Sequence, residues 1–187
     1  MGSSKELILH NARQLFAEKG FKGTTVALIA QLSHVTDAAI YRHYKSKQQI
    51  FDQIIEELIT EYKGMLNEIK ARQKSGYCLL ETLIHDVVSF VNEHETGYKV
   101  ILTTYATIPS AKIAMDSVTD ALKQTIVACL ERGIKDGTVR EDIEVDSTAE
   151  IITWLLAGLN RRRIFWPEHE QISDAAVTFC LNSIKGF

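Results

Sequence analysis

Between Thr24 and Lys47 the chain reads TTVALIAQLSHVTDAAIYRHYKSK, and the spacing of its residues limits the fold more than any other feature. Two short helices cross closely only where one of them carries a small residue. The chain between them must reverse within a few residues, and the second helix needs a branched apolar anchor. Ala30 is the small crossing residue, His34 lies four residues on at the turn, and Ile40 six further on is the anchor. Ile29, Leu32, Val35 and Tyr44 complete an apolar seam, and Thr36 is placed to cap the second helix. The turn position favours positive φ and is most often glycine. Histidine is moderately enriched at positive φ, so its presence costs something without forbidding the turn. The pattern reads as a helix-turn-helix, whose second helix can enter a DNA groove.

The rest of the chain has helical period, with no sustained strand alternation and only two prolines, Pro109 and Pro167. A first helix is expected from about Lys5 to Lys19, with Ser3 and Glu6 as a capping box. Ile8, Ala12, Leu15 and Phe16 form its apolar face, and Gly20 ends it with Phe21 packing back. The second helix runs to Leu32 from an N-cap at Thr24 or Thr25, and the third covers Thr36 to His43. Ser46-Lys47-Gln48-Gln49 opens a fourth helix reaching Arg72 or Lys74, roughly 40 Å long. Further helices are read over 77–93, 98–105 and from Pro109 to Lys135, with an Asp136-Gly137 turn after them. Ser147-Thr148-Ala149-Glu150 opens an eighth helix that Pro167 ends, and Ser173 caps a last one. The fold class is therefore all-α, about nine helices.

Charge is divided unevenly. Residues 1–50 carry seven Lys and Arg against three Asp and Glu, a net +4, while the remainder carries −7. A basic head on an acidic body means that the head is the part that approaches phosphate. No apolar run reaches the ~18 residues of a membrane span, and the N-terminus lacks the apolar core of a signal peptide, so a cytoplasmic location is expected. Cys78, Cys129 and Cys180 are odd in number, widely spaced and set among apolar neighbours, which fits buried small hydrophobes better than a disulfide or zinc framework. Glu81 with His85, and His94 between Glu93 and Glu95, do not assemble three convergent ligands, so no metal or cofactor is expected. No catalytic triad can be placed either, and the chain is not read as an enzyme.

The N-terminal stretch resembles the tetracycline-repressor (TetR) family. Its pattern is met by Phe16…Gly20-Phe21, by Thr24-Thr25-Val26 with Ile29-Ala30, by Val35 to Tyr44, and by Lys45-Ser46-Lys47-Gln48-Gln49. His34 and Ala38 depart from it, both positions often being glycine. The motif covers about the first 55 residues, and the rest agrees only in helix count, length and order. The resemblance implies a helix-turn-helix DNA-binding domain over 1–47 and a helical ligand-binding and dimerisation domain over 48–187. It implies a transcriptional regulator, a repressor that a small-molecule inducer releases from a double-stranded, palindromic operator, acting as a homodimer.

Carried over residue by residue, Thr24 and Thr25 match phosphate contacts at the start of the second helix. Thr36, Asp37, Ala38 and Ala39 match the leading end of the recognition helix, and Tyr41, Arg42 and His43 its groove-facing and backbone-contacting positions. Arg42 can read guanine or hold a phosphate. Asp37 can accept from cytosine or cap the helix. Lys47 matches a phosphate contact. In the body, Met65, Phe90, Tyr105, Met115 and Trp154 are core by spacing and, by resemblance, inducer-pocket candidates. Trp154, Leu155, Gly158, Leu159, Val177 and Leu181 are the matching dimerisation candidates. Arg161-Arg162-Arg163 reads as favourable charge at a helix C-terminus. A second class of function is also open: the head anchors the chain on DNA while the body binds a protein partner, with no inducer.

Overall fold

The computed structural model describes residues 4–166 and 171–186. Nine helices occur among the described residues: α1 (Ser4–Gly23), α2 (Val26–Leu32), α3 (Asp37–His43), α4 (Lys47–Ala71), α5 (Gly76–Glu93), α6 (Glu95–Thr104), α7 (Pro109–Lys135), α8 (Val145–Phe165) and α9 (Gln171–Ile184). The only β pairing among them is an isolated antiparallel bridge between Val139 and Lys185. Contacts group the chain into two compact units, Met1–Thr60 with His94–Asp116, and Glu61–Glu93 with Ser117–Phe187.

In the first unit, α1 buries Ile8, Ala12, Leu15 and Phe16, the face that its periodicity marks out. The helical path bends at Gly20, whose φ of 69° is open to glycine, and a further turn follows it to Gly23. Phe21 then returns onto the core. Its ring stacks on Phe16 at 5.7 Å and meets the edge of Phe51 of α4 at 5.0 Å. Edge-to-face and offset contacts of this kind favour a fixed geometry over a merely greasy one. Helix α1 also packs along α6.

In the second unit, α5 buries Leu79, Leu80, Leu83, Ile84 and Val87 on one face. That phase turns Cys78 outward, so it is exposed and not the buried thiol expected. Cys129 and Cys180 are buried, and burial pushes the Cys129 thiol up to about 11. The start of α5 crosses α7 at glycine on glycine. A Cβ on Gly76 would lie 2.0 Å from the Gly133 nitrogen and 2.4 Å from the Cys129 carbonyl oxygen. The turn after α7 completes this corner. Gly137 has a φ of 76°, and Asp136 accepts hydrogen bonds from the Gly76 N–H at 2.8 Å and from the Thr138 N–H and hydroxyl at 3.1 and 2.5 Å. The Thr138 hydroxyl is the main cause holding the Asp136 carboxyl below its ordinary range. Arg140 N–H donates to the Ile184 carbonyl at 3.1 Å, tying in the end of α9.

Pro109 opens α7, the position its fixed φ suits. Helix α8 begins earlier than expected. Its N-cap is Glu144, whose carboxylate accepts from the Ser147 N–H at 2.7 Å. Glu150, expected to close a capping box with Ser147, instead pairs with Lys123 at 2.7 Å and accepts from the Trp154 indole. Helix α9 runs from Gln171, and the side chain of Ser173, read as its cap, lies outside those described. Ser3 and Pro167 lie outside the described residues.

Candidate nucleic-acid interface

The helix-turn-helix of the first unit is built from local hydrogen bonds. Thr25 is the N-cap of α2, its hydroxyl oxygen accepting from the Leu28 N–H at 3.1 Å. Thr36 caps α3 in the same way, accepting from the Ala39 N–H at 3.2 Å. Between them the chain reverses through bonds from Ser33 to Ile29, from His34 to Gln31 and from Val35 to Ala30, at 2.9, 3.2 and 3.0 Å. His34 takes a φ of 53°, the left-handed conformation that the turn asks for. Ala30 and Ile40 are buried, as the crossing and anchor positions require. Leu32 is not part of the seam. It lies at the surface, and Ser33 beside it takes the buried place.

Asn11 explains that exchange. Its carboxamide, buried within the first unit, donates to the Leu32 carbonyl at 3.3 Å and the Ser33 hydroxyl at 3.1 Å. It fixes the turn to α1, because a buried amide must find partners and the turn has them to offer. The sequence reading missed it. The signal was its place three residues after Ile8 and one before Ala12, a polar residue on the apolar face.

The leading face of α3 is open to solvent. Asp37, Ala38, Arg42 and His43 are exposed, Ala39 is half-buried, and Tyr41 is 55% exposed. Arg42 has no ion-pair partner among the described residues, and Lys45, also exposed, follows directly after the helix. Tyr44 turns the other way. Its ring is buried and its hydroxyl pushed up to about 12, first by burial and then by Glu57. Thr25 and Thr36 are exposed, but each hydroxyl oxygen already serves its own cap.

Thr24 and Lys47, which match phosphate contacts by resemblance, each have hydrogen-bond partners within the first unit. Thr24 is buried, and its hydroxyl donates to the Gly20 carbonyl at 2.8 Å. The Lys47 ammonium donates to the Phe21 and Thr24 carbonyls at 2.6 and 2.7 Å and sits 4.2 Å from the centre of the Phe21 ring. Burial lowers its pKa. The cation closes the end of α1, where carbonyls lack helical partners. At the start of α4, Ser46 accepts from the Gln49 N–H at 3.1 Å. The Gln49 side chain reaches back to the Lys45 N–H at 2.6 Å, one residue further than a simple capping box.

The body residues singled out by the sequence are divided between the two units. In the second unit Met65 is half-buried, and Phe90 is buried with its ring 5.2 Å from Tyr62. Trp154 is 59% exposed on the outer side of α8. Tyr105 and Met115 belong to the first unit, Tyr105 exposed and Met115 half-buried. Of the dimerisation candidates, Trp154 and Gly158 face solvent. Leu155 is half-buried, and Leu159, Val177 and Leu181 line a cleft within the second unit. Among the described residues no group of three His, Cys, Asp or Glu converges as a metal site, and no helix is long and apolar enough to cross a membrane.

Residues 8–54 match the family model described as bacterial regulatory proteins, tetR family. The chain is 25% identical over 141 residues to the HTH-type transcriptional repressor KstR2 of Rhodococcus jostii, covering 74% of this chain and 69% of that one. It is 26% identical over 182 residues to the HTH-type transcriptional repressor AcnR of Corynebacterium jeikeium, covering 94% and 89%. A putative transcriptional regulator from Saccharomonospora viridis, solved in complex with choline, has the same fold. Its TM-score is 0.82 at 18% identity, over 98% of each chain. The helix-turn-helix of the first unit thus matches the tetR family of bacterial regulatory proteins over residues 8–54, and the relatives and the solved structure agree with that match in sequence and in fold.

Proposed function

We propose that this regulator is a repressor that binds a double-stranded, two-fold symmetric operator as a homodimer and leaves it when a small molecule occupies the helical body. Residues 1–47 are the DNA-binding head and 48–187 the ligand-binding and dimerisation body. The observation that carries the reading is the open face of α3, on which an unpaired Arg42 stands between exposed Tyr41 and His43 at the end of a net-positive segment. The names of the two relatives support repression, and the choline complex of the third protein supports a small-molecule partner. The chain acts on DNA rather than as an enzyme, in the cytoplasm where its operator is.

In the proposed dimer, α8 and α9 pair with their copies. Ile151, Trp154 and Gly158 recur at i, i+3 and i+7 along the outer side of α8, and Phe179 on α9 is 77% exposed. Large apolar side chains in such a stripe mark a face for association. Two heads then meet half-sites about one helical turn of DNA, ~34 Å, apart or at a multiple of it.

Titration of fluorescent DNA from upstream of the gene tests the reading. Saturable binding that resists competitor DNA is expected, and binding indifferent to sequence would overturn it. Arg42→Ala is expected to weaken specific binding by about 1–3 kcal/mol. An unchanged affinity would remove Arg42 from the reading set.

A further inference from the structure

A cleft of about 570 Å³ opens between α5, α8 and α9, entirely within the second unit. That volume is in the range of sites that enclose a small organic molecule. Ile84, Asn160 and Leu181 form its buried floor, Val88 and Val177 its half-buried walls, and Glu81, His85, Asp174 and Thr178 its exposed mouth. The floor is apolar except at Asn160. This side chain is only 3% exposed, yet its carboxamide has no hydrogen-bond partner among the described residues.

Thr153, equally deep on α8, shows how the helix settles a buried polar group. Its hydroxyl donates to the Ala149 carbonyl at 2.7 Å. Asn160 has no such bond. Its amide is not among the fully buried side-chain atoms left without a partner, so it reaches the open space of the cleft. Its donors and acceptor face the cleft, where an occupant can complete them.

We propose that the cleft binds a small amphipathic molecule, with an uncharged hydrogen-bonding head against Asn160 and an aliphatic body along Ile84, Val88, Val177 and Leu181. The head is a carboxamide, ketone or alcohol. A charged head would be buried against a neutral amide with no countercharge on the floor. Arg163 also lines the cleft and has an interaction of its own. Among the described residues the walls are aliphatic and not aromatic, so they select a flexible or branched hydrocarbon body over a stacked ring. This names the site and chemistry of the ligand that the regulator reading calls for, and rests on that reading only for its effect on DNA.

The test uses the full-length protein and three probes of one chain length: octanamide, octanoate and octylamine. Calorimetric titration gives affinities. The ¹H–¹⁵N spectrum gives the Asn160 side-chain signal, identified by its absence from Asn160→Leu. Octanamide is expected to shift that signal and to bind at least about tenfold more tightly than either charged probe. Asn160→Leu is expected to fold with equal or higher Tm and to bind octanamide roughly five- to tenfold more weakly. Val177→Phe, which fills the cleft from the opposite wall, is expected to weaken binding comparably, and decides the matter should Asn160→Leu not fold. Absent binding of octanamide, tighter binding of a charged probe, or equal affinity in wild type and variant would overturn the proposal. Operator binding without probe is measured in parallel. Its failure counts against the repressor reading and leaves the cleft result standing.

Discussion

At the scale of single residues, two side chains decide how the DNA-binding head is held. His34 occupies a left-handed turn position with a φ of 53°. A residue with a Cβ is strained there, whereas glycine is not but loses more freedom on folding. His34→Gly is therefore expected to stabilise the chain slightly, on the order of 0.5 kcal/mol, read from the midpoint of urea unfolding. A loss of stability would mean that the imidazole makes a favourable contact. Lys47 bonds the Phe21 and Thr24 carbonyls, the first of which also accepts from the Thr24 N–H at 3.4 Å. Lys47→Met is expected to cost about 1–3 kcal/mol in the same measurement. Unchanged stability with weakened DNA binding would return Lys47 to the phosphate-contacting set. The turn was legible in the sequence because Ala30, His34 and Ile40 each meet a local steric demand. The inward turn of Thr24 and Lys47 was not, because their partners are carbonyls of residues 20, 21 and 24, and any residue supplies a carbonyl.

At the scale of elements, boundaries set by proline, glycine and short polar caps were readable, as at Pro109, Asp136-Gly137, Thr36 and Ser46. The start of α8 was not. Glu144 competes with Ser147 for the cap and wins, while Glu150 is drawn to Lys123, a residue far away in sequence. The crossing of α5 and α7 was equally hidden, since no local spacing marks Gly76 as the partner of Gly133. Its hydrogen atom faces backbone at 2.0 and 2.4 Å from a notional Cβ, whereas a Cβ on Gly133 would meet the Val139 side chain at 2.3 Å. Backbone yields less easily than a side chain. Gly76→Ala is thus expected to destabilise by about 3 kcal/mol or more and Gly133→Ala by less, within the range of ordinary overpacking. Thermal unfolding of the two variants side by side checks the order, and the reverse order would contradict this account of the crossing.

At the scale of the whole molecule, the all-helical class followed from period and from the scarcity of breakers, but the role of each body residue did not. Leu159, Val177 and Leu181 share helices with Trp154 and Phe179, yet line a cleft where the latter face solvent. Periodicity finds apolar residues without saying which neighbour they meet. The proposed dimer makes the outward set testable. Trp154→Glu combined with Phe179→Glu is expected to give a folded monomer by sedimentation equilibrium, with operator affinity at least about tenfold lower because the two heads no longer act together. A dimer of unchanged strength would move the interface elsewhere. The inward ammonium of Lys47 also bears on how the protein responds to ionic strength. Each phosphate neutralised on duplex DNA releases counterions and steepens the fall of log affinity with log salt by about 0.9. Arg13 is paired with Glu57 and Lys47 with carbonyls. The cations left exposed in residues 1–50 are Lys5, Lys19, Lys22, Arg42 and Lys45. The head is thus less sensitive to salt than its formal charge implies, and depends more on the fit of α3 to its groove.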